Sequence, residues 1–303
     1  MASAARAGRA CAQFGARGRD GRTATHELIG RSTGWRPFDS AAWRAERLLD
    51  SCGLTDPAFR SELPPTYPLA VRVDTEELGI PDAPGRLNGG NWIRWLEPAR
   101  LTDRLERRTT ITEVDSKDAR SGRLLLYTLG SEFRRCADQR VVATARHVTI
   151  RRYPHETPRP PAPSTSTPKP EEMPMLLEVT PRSRDLVRYA AATDDYYEAH
   201  YDEPFARASG LPGVIVHGLL KLAWFARAAL DWAGPGARVR ELAGSYRGID
   251  LVGEPFRIHG SPEPEPGGDS GSGGVRLRLS GRSASGALTT TGHAVVSGGT
   301  REL

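Results

Sequence analysis

The chain has 303 residues, of which 38% are hydrophobic, and its formal net charge is +5. This length allows two domains of ordinary core size. Zinc-finger spacing, an RNA-binding aromatic motif and a basic heptad region are absent from the sequence, so we expect no nucleic-acid partner. The three cysteines are scattered and form no CxxC pair. They argue against a disulfide framework or a zinc site and favour a reducing compartment.

Residues 1–35 are rich in Arg, Ala and Gly, and we expect a disordered tail there. Their composition superficially resembles that of an organellar transit peptide. We expect a cytoplasmic protein. If this segment is a transit peptide, we expect a mitochondrial one. The longest apolar run, 213–230, contains a histidine, a lysine and an arginine, so we expect no membrane span.

Residues 36–153 are predicted to form a first α+β domain. After a helix that ends at Gly53 and a turn-rich stretch, residues 104–152 have the pattern of three strands joined by DSKDARSG and CADQR. Connections this short favour antiparallel pairing, because a parallel crossover needs a longer chain. Residues 154–174, rich in Pro, Ser and Thr, are predicted to be a stiff linker.

Residues 175–303 are predicted to form a second domain. It contains a strand in LLEVT, a helix start in PRSRDLVRYAAATDD, a long buried helix in VHGLLKLAWFARAALDWAG and three more strands. The polar insert SPEPEPGGDSGSGG is predicted to be an exposed loop. The pattern of WIRWLEPARLTDRLERRTTITEV recurs in SYRGIDLVGEPFRIHG. The sequence therefore predicts one α+β unit used twice, each with a helix wrapped by an antiparallel sheet.

The run ATDDYYEAHYDEPFARASGLPGVIVHGLL, 192–220, concentrates polar chemistry. Asp195 and His200 are five positions apart, and a carboxylate and an imidazole held together can orient a water as nucleophile. Gly218 lies at the predicted first turn of the buried helix, where free N–H groups suit an oxygen that becomes negative. Each residue also has an ordinary structural alternative: a turn or cap for the aspartate, a structural hydrogen bond for the histidine, a common helix start for the glycine.

In their order these residues resemble the hydratase-2 motif of the MaoC-like, R-specific enoyl-CoA hydratases. There a Gly-Asp-x-Asn-Pro-x-His run precedes the central helix of a hot-dog fold. The run HYDEPFARASGLPGVIVHG is similar to the family's continuation of this motif. The whole chain resembles a double hot-dog subgroup that includes mesaconyl-C4-CoA hydratase and the type-2 hydroxyacyl-thioester dehydratases. In it, residues 36–153 correspond to a non-catalytic hot dog like the dehydratase domain of the type I fatty-acid-synthase kind.

The resemblance implies an α+β double hot-dog fold, two antiparallel sheets each wrapped on a central helix. It also implies a hydro-lyase that reversibly hydrates 2-enoyl thioesters or dehydrates 3-hydroxyacyl thioesters, with residues 175–303 catalytic. The catalytic residues carried over are Asp195, His200 and the oxyanion glycine Gly218. The resemblance implies no metal and no cofactor beyond the CoA or acyl-carrier-protein thioester that carries the substrate.

The sequence departs from the family pattern at three positions. Asp194 stands at the place of the glycine, and Tyr197 and Glu198 replace Asn-Pro. Asp194 therefore competes with Asp195 for the role of catalytic acid, and the five-residue spacing favours Asp195.

Further residues are expected to contact the substrate: Tyr201, Gly213, His217 and Arg247, the last through a phosphate of CoA or of a carrier's pantetheine arm. His217 has capping of the helix as an alternative role. Asp202 is either the carboxylate that sets the tautomer of His200 or a plain surface residue. We expect an acyl-thioester substrate, acyl carrier protein as a candidate partner, and a homodimer. Two other functions fit the same features: a hot-dog acyl thioesterase and a non-catalytic acyl-thioester-binding partner subunit.

Overall fold

A computed structural model describes residues 26–83, 85–119, 122–153, 173–263 and 274–300. Within these ranges the chain forms ten strands: β1 (Ser32–Phe38), β2 (Gly85–Trp95), β3 (Leu105–Ala119), β4 (Gly122–Arg135), β5 (Val141–Tyr153), β6 (Met175–Val179), β7 (Arg238–Tyr246), β8 (Phe256–Glu263), β9 (Gly274–Arg282) and β10 (Leu288–Ser297). The α-helices are α1 (Ala42–Cys52), α2 (Tyr67–Ala70), α3 (Ser183–Thr193), α4 (Glu203–Ala208) and α5 (Gly218–Ala233), and short 3-10 helices lie at Pro57–Arg60 and Glu198–His200.

All ten strands belong to one antiparallel sheet in the order β1-β3-β4-β5-β2-β7-β10-β9-β8-β6. Counted from its outer edge toward the middle of the sheet, the N-terminal half (β1–β5) has the order β1-β3-β4-β5-β2. The C-terminal half (β6–β10) has the same order, β6-β8-β9-β10-β7. The halves join where β2 pairs with β7, from Gly90 opposite Ser245 to Arg94 opposite Glu241. We call this pairing the seam. The α+β class is confirmed, and the repeated strand order agrees with the recurring pattern in the sequence.

Helix α5 is the central helix of the C-terminal half. Its sequence, GLLKLAWFARAALDWA, has buried side chains on most of its circumference, and it packs against β7 and β10. A Cβ atom on Gly244 of β7 would lie 2.9 Å from the side chain of Leu222, so glycine allows the helix to approach the strand closely. The close packing fixes where the first turn of α5 lies relative to the sheet.

The N-terminal half differs from the expectation that each sheet wraps a long helix. Its strands β1 and β2 are separated by α1, which packs against α3, and by α2, which has four residues and lies against β2 and β5. The prolines of LPPTYP explain the short helix, because proline removes a backbone donor and clashes with the preceding turn. The long central helix is thus found in the C-terminal half alone, within the ranges described.

Four features differ from the predictions. Residues 115–119 of the predicted connection DSKDARSG continue β3, because each of them pairs with a residue of β4. The predicted tail 1–35 extends too far, because Leu28 is 7% exposed and packs with Ile111, and β1 begins at Ser32; residues 1–25 lie outside the described residues. Four strands, not three, follow α5, because the turn 247–255 separates β7 from β8. Residues 154–172 of the predicted linker and 264–273 of the predicted loop lie outside the described residues, and Ser261–Glu263 continue β8. In the described part of the chain, no helix combines the length and the hydropathy that crossing a membrane requires.

Candidate active site

Asp195, His200 and His217 meet between the end of α3 and the start of α5. Their potential ligand atoms all lie within 4.8 Å of one another, and we call these three residues the acid–histidine cluster. Helix α3 ends at Thr193, and the left-handed backbone of the next residue, Asp194 (φ 56°), turns the chain away from the helix before Asp195. The 3-10 helix that follows carries His200 into the interior, where it is buried.

Among the residues that the structure describes, His200 has a hydrogen-bonding partner at one of its two ring nitrogens. Its Nδ1 lies 2.8 Å from the backbone oxygen of Ile215. Because a carbonyl only accepts hydrogen bonds, Nδ1 carries the proton and Nε2 is left as an acceptor. Burial lowers the pKa of His200, while the nearby carboxylate of Asp195 acts in the opposite direction. The neutral ring with a free Nε2 is the form that can take a proton from water.

His217 stacks on His200, with ring centroids 3.7 Å apart and an interplanar angle of 23°. Its Nε2 lies 3.3 Å from the backbone oxygen of Asp195, and its side chain does not cap α5. Burial, followed by the neighbouring charge of a protonated His200, lowers the pKa of His217 well below its usual value. The stacked pair is therefore favoured when both rings are neutral.

Gly218 begins α5 beside the cluster. Among the residues that the structure describes, none accepts a hydrogen bond from its backbone amide, as expected at the first turn of a helix. A Cβ atom at this position would lie 3.1 Å from the ring of Tyr246. The Tyr246 ring thus covers one side of Gly218, and the amide remains available to an oxygen of a bound molecule.

Polar side chains of the N-terminal half hold Tyr246 across the seam. The Tyr246 hydroxyl donates to Oδ1 of Asn91 (3.0 Å), which also accepts from Nδ2 of Asn88 (2.8 Å). Nδ2 of Asn91 lies 2.7 Å from Nδ1 of His147. Burial lowers the pKa of His147 to about 4, so its ring is neutral at pH 7 and accepts this bond. The first half therefore contributes to the wall of the candidate site.

Tyr189 of α3 was not singled out from the sequence. Its ring centroid lies 5.0 Å from that of His217, and its hydroxyl is buried. In the described part of the chain, neither this hydroxyl nor Nδ1 of His217 has a hydrogen-bonding partner. Burial raises the pKa of Tyr189 well above its usual value, so the hydroxyl is a donor at neutral pH. Both groups are available to a bound molecule. Tyr189 lies on the buried face of an amphipathic helix, where an aromatic residue is read as part of the core, so the sequence gave no sign of its position beside His217.

The structure separates the two aspartates that competed for one role. Asp194 makes an ion pair with Arg44 (3.1 Å) from the N-terminal half, and its side chain is 60% exposed. It is therefore Asp195 that the fold brings beside the histidines. Asp202 is the N-cap of α4, accepting from the backbone N–H of Phe205 (2.8 Å). The alternative in which Asp202 sets the tautomer of His200 is wrong, because Ile215 occupies that nitrogen.

The other predicted substrate contacts lie around the cluster. Tyr201 is exposed and its hydroxyl donates to the backbone oxygen of Tyr196 (3.3 Å). Gly213 precedes the segment 214–216, and the exposed Arg247 follows β7 with its Nε 3.4 Å from the Thr291 hydroxyl. The roles of these three residues in binding stay predictions.

Tyr197, at the position of the family's asparagine, packs its ring edge-on to His200 with a centroid distance of 5.9 Å. It also contacts the ring of Phe205, at 5.7 Å. Glu198 is exposed at the first residue of the 3-10 helix. The loop thus reaches its shape through aromatic packing, where the family pattern has an amide and a proline.

The acid–histidine cluster is the group of described side chains with metal-ligand spacing. Nδ1 of His200 and Nε2 of His217 already make backbone hydrogen bonds, which leaves one nitrogen on each ring. The lone pair of such a nitrogen lies in the plane of its ring. Because the two planes are nearly parallel, the lone pairs do not converge on one point as a metal centre requires. The arrangement suits proton transfer better than metal binding.

Comparison with known proteins identifies the family. Residues 75–253 match the family described as hydroxyacyl-thioester dehydratase type 2, which is more than half of the chain. The chain belongs to this family. Its members are hydro-lyases, enzymes that add water to a double bond or remove it. The mesaconyl-C(4)-CoA hydratase of Chloroflexus aurantiacus is 30% identical over 143 residues, 45% of this chain and 48% of the relative. The match therefore spans about half the length of that curated relative.

Several solved structures have a fold similar to that of this dehydratase. A MaoC-like dehydratase superposes with a TM-score of 0.71 at 15% identity, covering 90% of this chain and 99% of its own. HtdX from Mycobacterium tuberculosis has a TM-score of 0.63 at 21% identity, covering 88% and 99%. A third protein, from the same bacterium and described as a double hot dog, has a TM-score of 0.59 at 13% identity, covering 88% and 96%. The predicted double hot-dog fold is confirmed.

Proposed function

We propose that this hydroxyacyl-thioester dehydratase adds water reversibly across C2–C3 of a 2-enoyl thioester, with Asp195 and His200 as its acid–base pair. One observation carries the proposal: a neutral imidazole, a carboxylate and a helix N-terminal amide lie in one place, and within the described ranges Nε2 of the imidazole and the amide have no hydrogen-bonding partner. Water addition to an activated double bond needs these three groups: a base, a group that orients the water, and a donor for the oxygen that becomes negative.

In the hydration direction, the carboxylate of Asp195 accepts one hydrogen bond from the water and Nε2 of His200 accepts the other. His200 takes a proton as the water oxygen bonds to C3, and the π electrons move toward the thioester carbonyl. The amide of Gly218, at the positive end of the α5 dipole, stabilises the enolate oxygen. A proton then returns to C2, so that one water is added overall. The Tyr189 hydroxyl supplies a further donor at the same wall.

The thioester carrier in this proposal is CoA or acyl carrier protein. The acyl group is what the substrate screen below determines. The similarity to a mesaconyl-C(4)-CoA hydratase makes mesaconyl-C(4)-CoA, a branched enoyl thioester with a second carboxyl group, the first substrate to examine. No additional cofactor takes part in the proposed reaction.

The test is a screen of enoyl- and 3-hydroxyacyl-CoA thioesters of different length and branching, following the loss or gain of enoyl absorbance. We expect Asp195→Asn and His200→Ala each to lower kcat by about 10²- to 10⁴-fold. Asp194→Asn is the matched control, because it changes the neighbouring carboxylate, which faces Arg44, and it should keep kcat within about threefold, as for an exposed pair.

Full activity of Asp195→Asn and His200→Ala on every substrate that the wild type converts would remove both residues from the mechanism. Release of free thiol without hydration would favour the thioesterase alternative. Binding of acyl thioesters without any turnover would favour the non-catalytic partner subunit.

A further inference from the structure

A buried ion pair lies next to the candidate site. Lys221, on the first turn of α5, places Nζ 2.7 Å from Oδ2 of Asp250, which lies in the turn between β7 and β8, and both side chains are 3% exposed. Oδ1 of Asp250 accepts from the hydroxyl of Thr289 (3.0 Å), and Nζ of Lys221 also donates to the backbone oxygen of Gly248 (3.2 Å). The charges are thus paired and hydrogen-bonded.

Such a pair is a poor way to stabilise a fold. Removing two charges from water costs several kcal/mol per ion, and well-packed apolar residues of similar volume often stabilise as much or more. Burial lowers the pKa of Lys221, with Asp250 acting in the opposite direction. The pair therefore calls for an explanation beyond stability, and its connections supply one.

The Asp250 end of the pair leads to His200. The backbone oxygen of Asp250 accepts from the N–H of Val216 (2.9 Å), and the adjoining Leu251 pairs with Ile215 as an isolated β-bridge. Ile215 is the residue whose oxygen fixes the tautomer of His200, and its own N–H donates to the oxygen of Ala199 (3.0 Å). The segment 214–216 is thus held between the turn that carries Asp250 and the 3-10 helix that carries His200.

The Lys221 end leads to Gly218. The backbone N–H of Lys221 donates to the oxygen of His217 (3.3 Å), which closes the first turn of α5 around the free amide of Gly218. One ion pair therefore links the start of α5 to the turn that supports the acceptor of His200. These are the two elements that must stay in register if a base and an oxyanion donor are to act on one substrate.

We propose that Lys221 and Asp250 are positioning residues, which fix the His200 imidazole relative to the Gly218 amide through the segment 214–216. This inference rests on the proposed function for its kinetic consequence. The predicted effect on the tautomer of His200 does not depend on the proposed function, because the tautomer can be measured without turnover. The two ideas can therefore fail separately.

The decisive variant replaces both charges at once, Lys221→Met with Asp250→Leu, so that no unpaired charge is left in the interior. Compared with the wild type, it should retain its urea midpoint while kcat falls about 10- to 100-fold with little change in KM, as expected from a misplaced group. In ¹⁵N-histidine NMR spectra, with His200→Gln used to assign the signal, the share of His200 protonated at Nδ1 should fall. The matched control is Arg238→Met with Glu62→Leu, which removes a partly buried ion pair (3.0 Å) between the halves. It should keep kcat, KM and the His200 signal at their wild-type values.

A double variant that folds with wild-type kcat and an unchanged His200 signal would overturn the inference. If this variant does not fold, Thr289→Val replaces it, because it removes one hydrogen bond from Asp250 and leaves both charges paired. It should still shift the His200 signal and lower kcat, and no change in either would also overturn the inference. If the wild type converts no thioester, the proposed function fails and the NMR result alone decides on positioning.

Discussion

Gly218→Ala is the substitution whose effect on the free energy of unfolding can be estimated most directly from the structure. The new Cβ atom would lie 3.1, 3.1 and 3.2 Å from three carbons of the Tyr246 ring, closer than ordinary van der Waals contact. The ring has little freedom to retreat, because its hydroxyl is bound to Asn91 across the seam. Overpacking of this kind costs about 1–3 kcal/mol, and alanine recovers at most about 1 kcal/mol of helix propensity relative to glycine. From a central overpacking cost of about 2 kcal/mol and a recovery of up to about 1 kcal/mol, we expect a net loss of about 1–2 kcal/mol.

Urea unfolding measures this loss as a lower midpoint with an unchanged slope. Gly213→Ala is the control for stability, because its Cβ would lie 3.9 Å from Leu251, an ordinary contact. The same methyl group at position 218 stands beside the amide proposed to hold the thioester oxygen, so kcat should fall by up to about 10²-fold. A Gly218→Ala protein with wild-type stability and wild-type kcat would refute both the close approach and the oxyanion role.

Three further predictions concern the polar groups around the site. Tyr246→Phe removes the hydroxyl bond to Asn91, which keeps two other partners, and should cost about 0.5–1.5 kcal/mol in urea unfolding; a larger loss would mean that the ring itself moves. The pKa of His147 and of both cluster histidines is lowered in the folded state. Stability should therefore be complete above about pH 6.5 and fall on acidification, because the unfolded chain then binds more protons. His147→Gln should make the free energy of unfolding depend less on pH between about pH 6.5 and 4. An unchanged pH dependence would contradict the lowered pKa of His147. EDTA should leave hydratase activity unchanged, whereas a loss that zinc restores would favour a metal centre.

Local sequence patterns predicted much of the fold. The apolar run that becomes α5, the strands β3, β4 and β5 and the connection CADQR between β4 and β5 depend on near neighbours, which a periodic pattern reports directly. The other predicted connection, DSKDARSG, was wrong over residues 115–119, which continue β3. Within the described residues the first half has no long central helix, and the prolines around Thr66 are a local signal of this. The repeat pattern favoured two equivalent halves instead. The left-handed residue at the end of α3 is Asp194, which stands where the family pattern has glycine. Glycine is the usual residue in this conformation, so the family pattern indicates the turn that the aspartate by itself does not.

The spacing of Asp195 and His200 was enough to predict that they meet, because a short turn joins them. The contacts that support these two residues join positions that are far apart in the sequence. Tyr246 and Asn91 are 155 positions apart, and Lys221 and Asp250 are 29 apart. Such contacts depend on strand register across the seam and on the path of the turn after β7, which no local pattern encodes. Buried lysine and aspartate side chains are rare enough that the sequence alone gave no reason to pair them.

The seam between β2 and β7 has a consequence for how the protein behaves on dilution. Two separate chains that met along such an edge would part at low concentration, and each would expose an unpaired strand. Here the two edges belong to one polypeptide, so their pairing is intramolecular. Specific activity per chain should thus be independent of protein concentration as far as the seam is concerned. The two halves also differ in what they contribute: one carries the long helix and the acid–histidine cluster, while the other holds the Tyr246 ring through Asn91, which His147 supports.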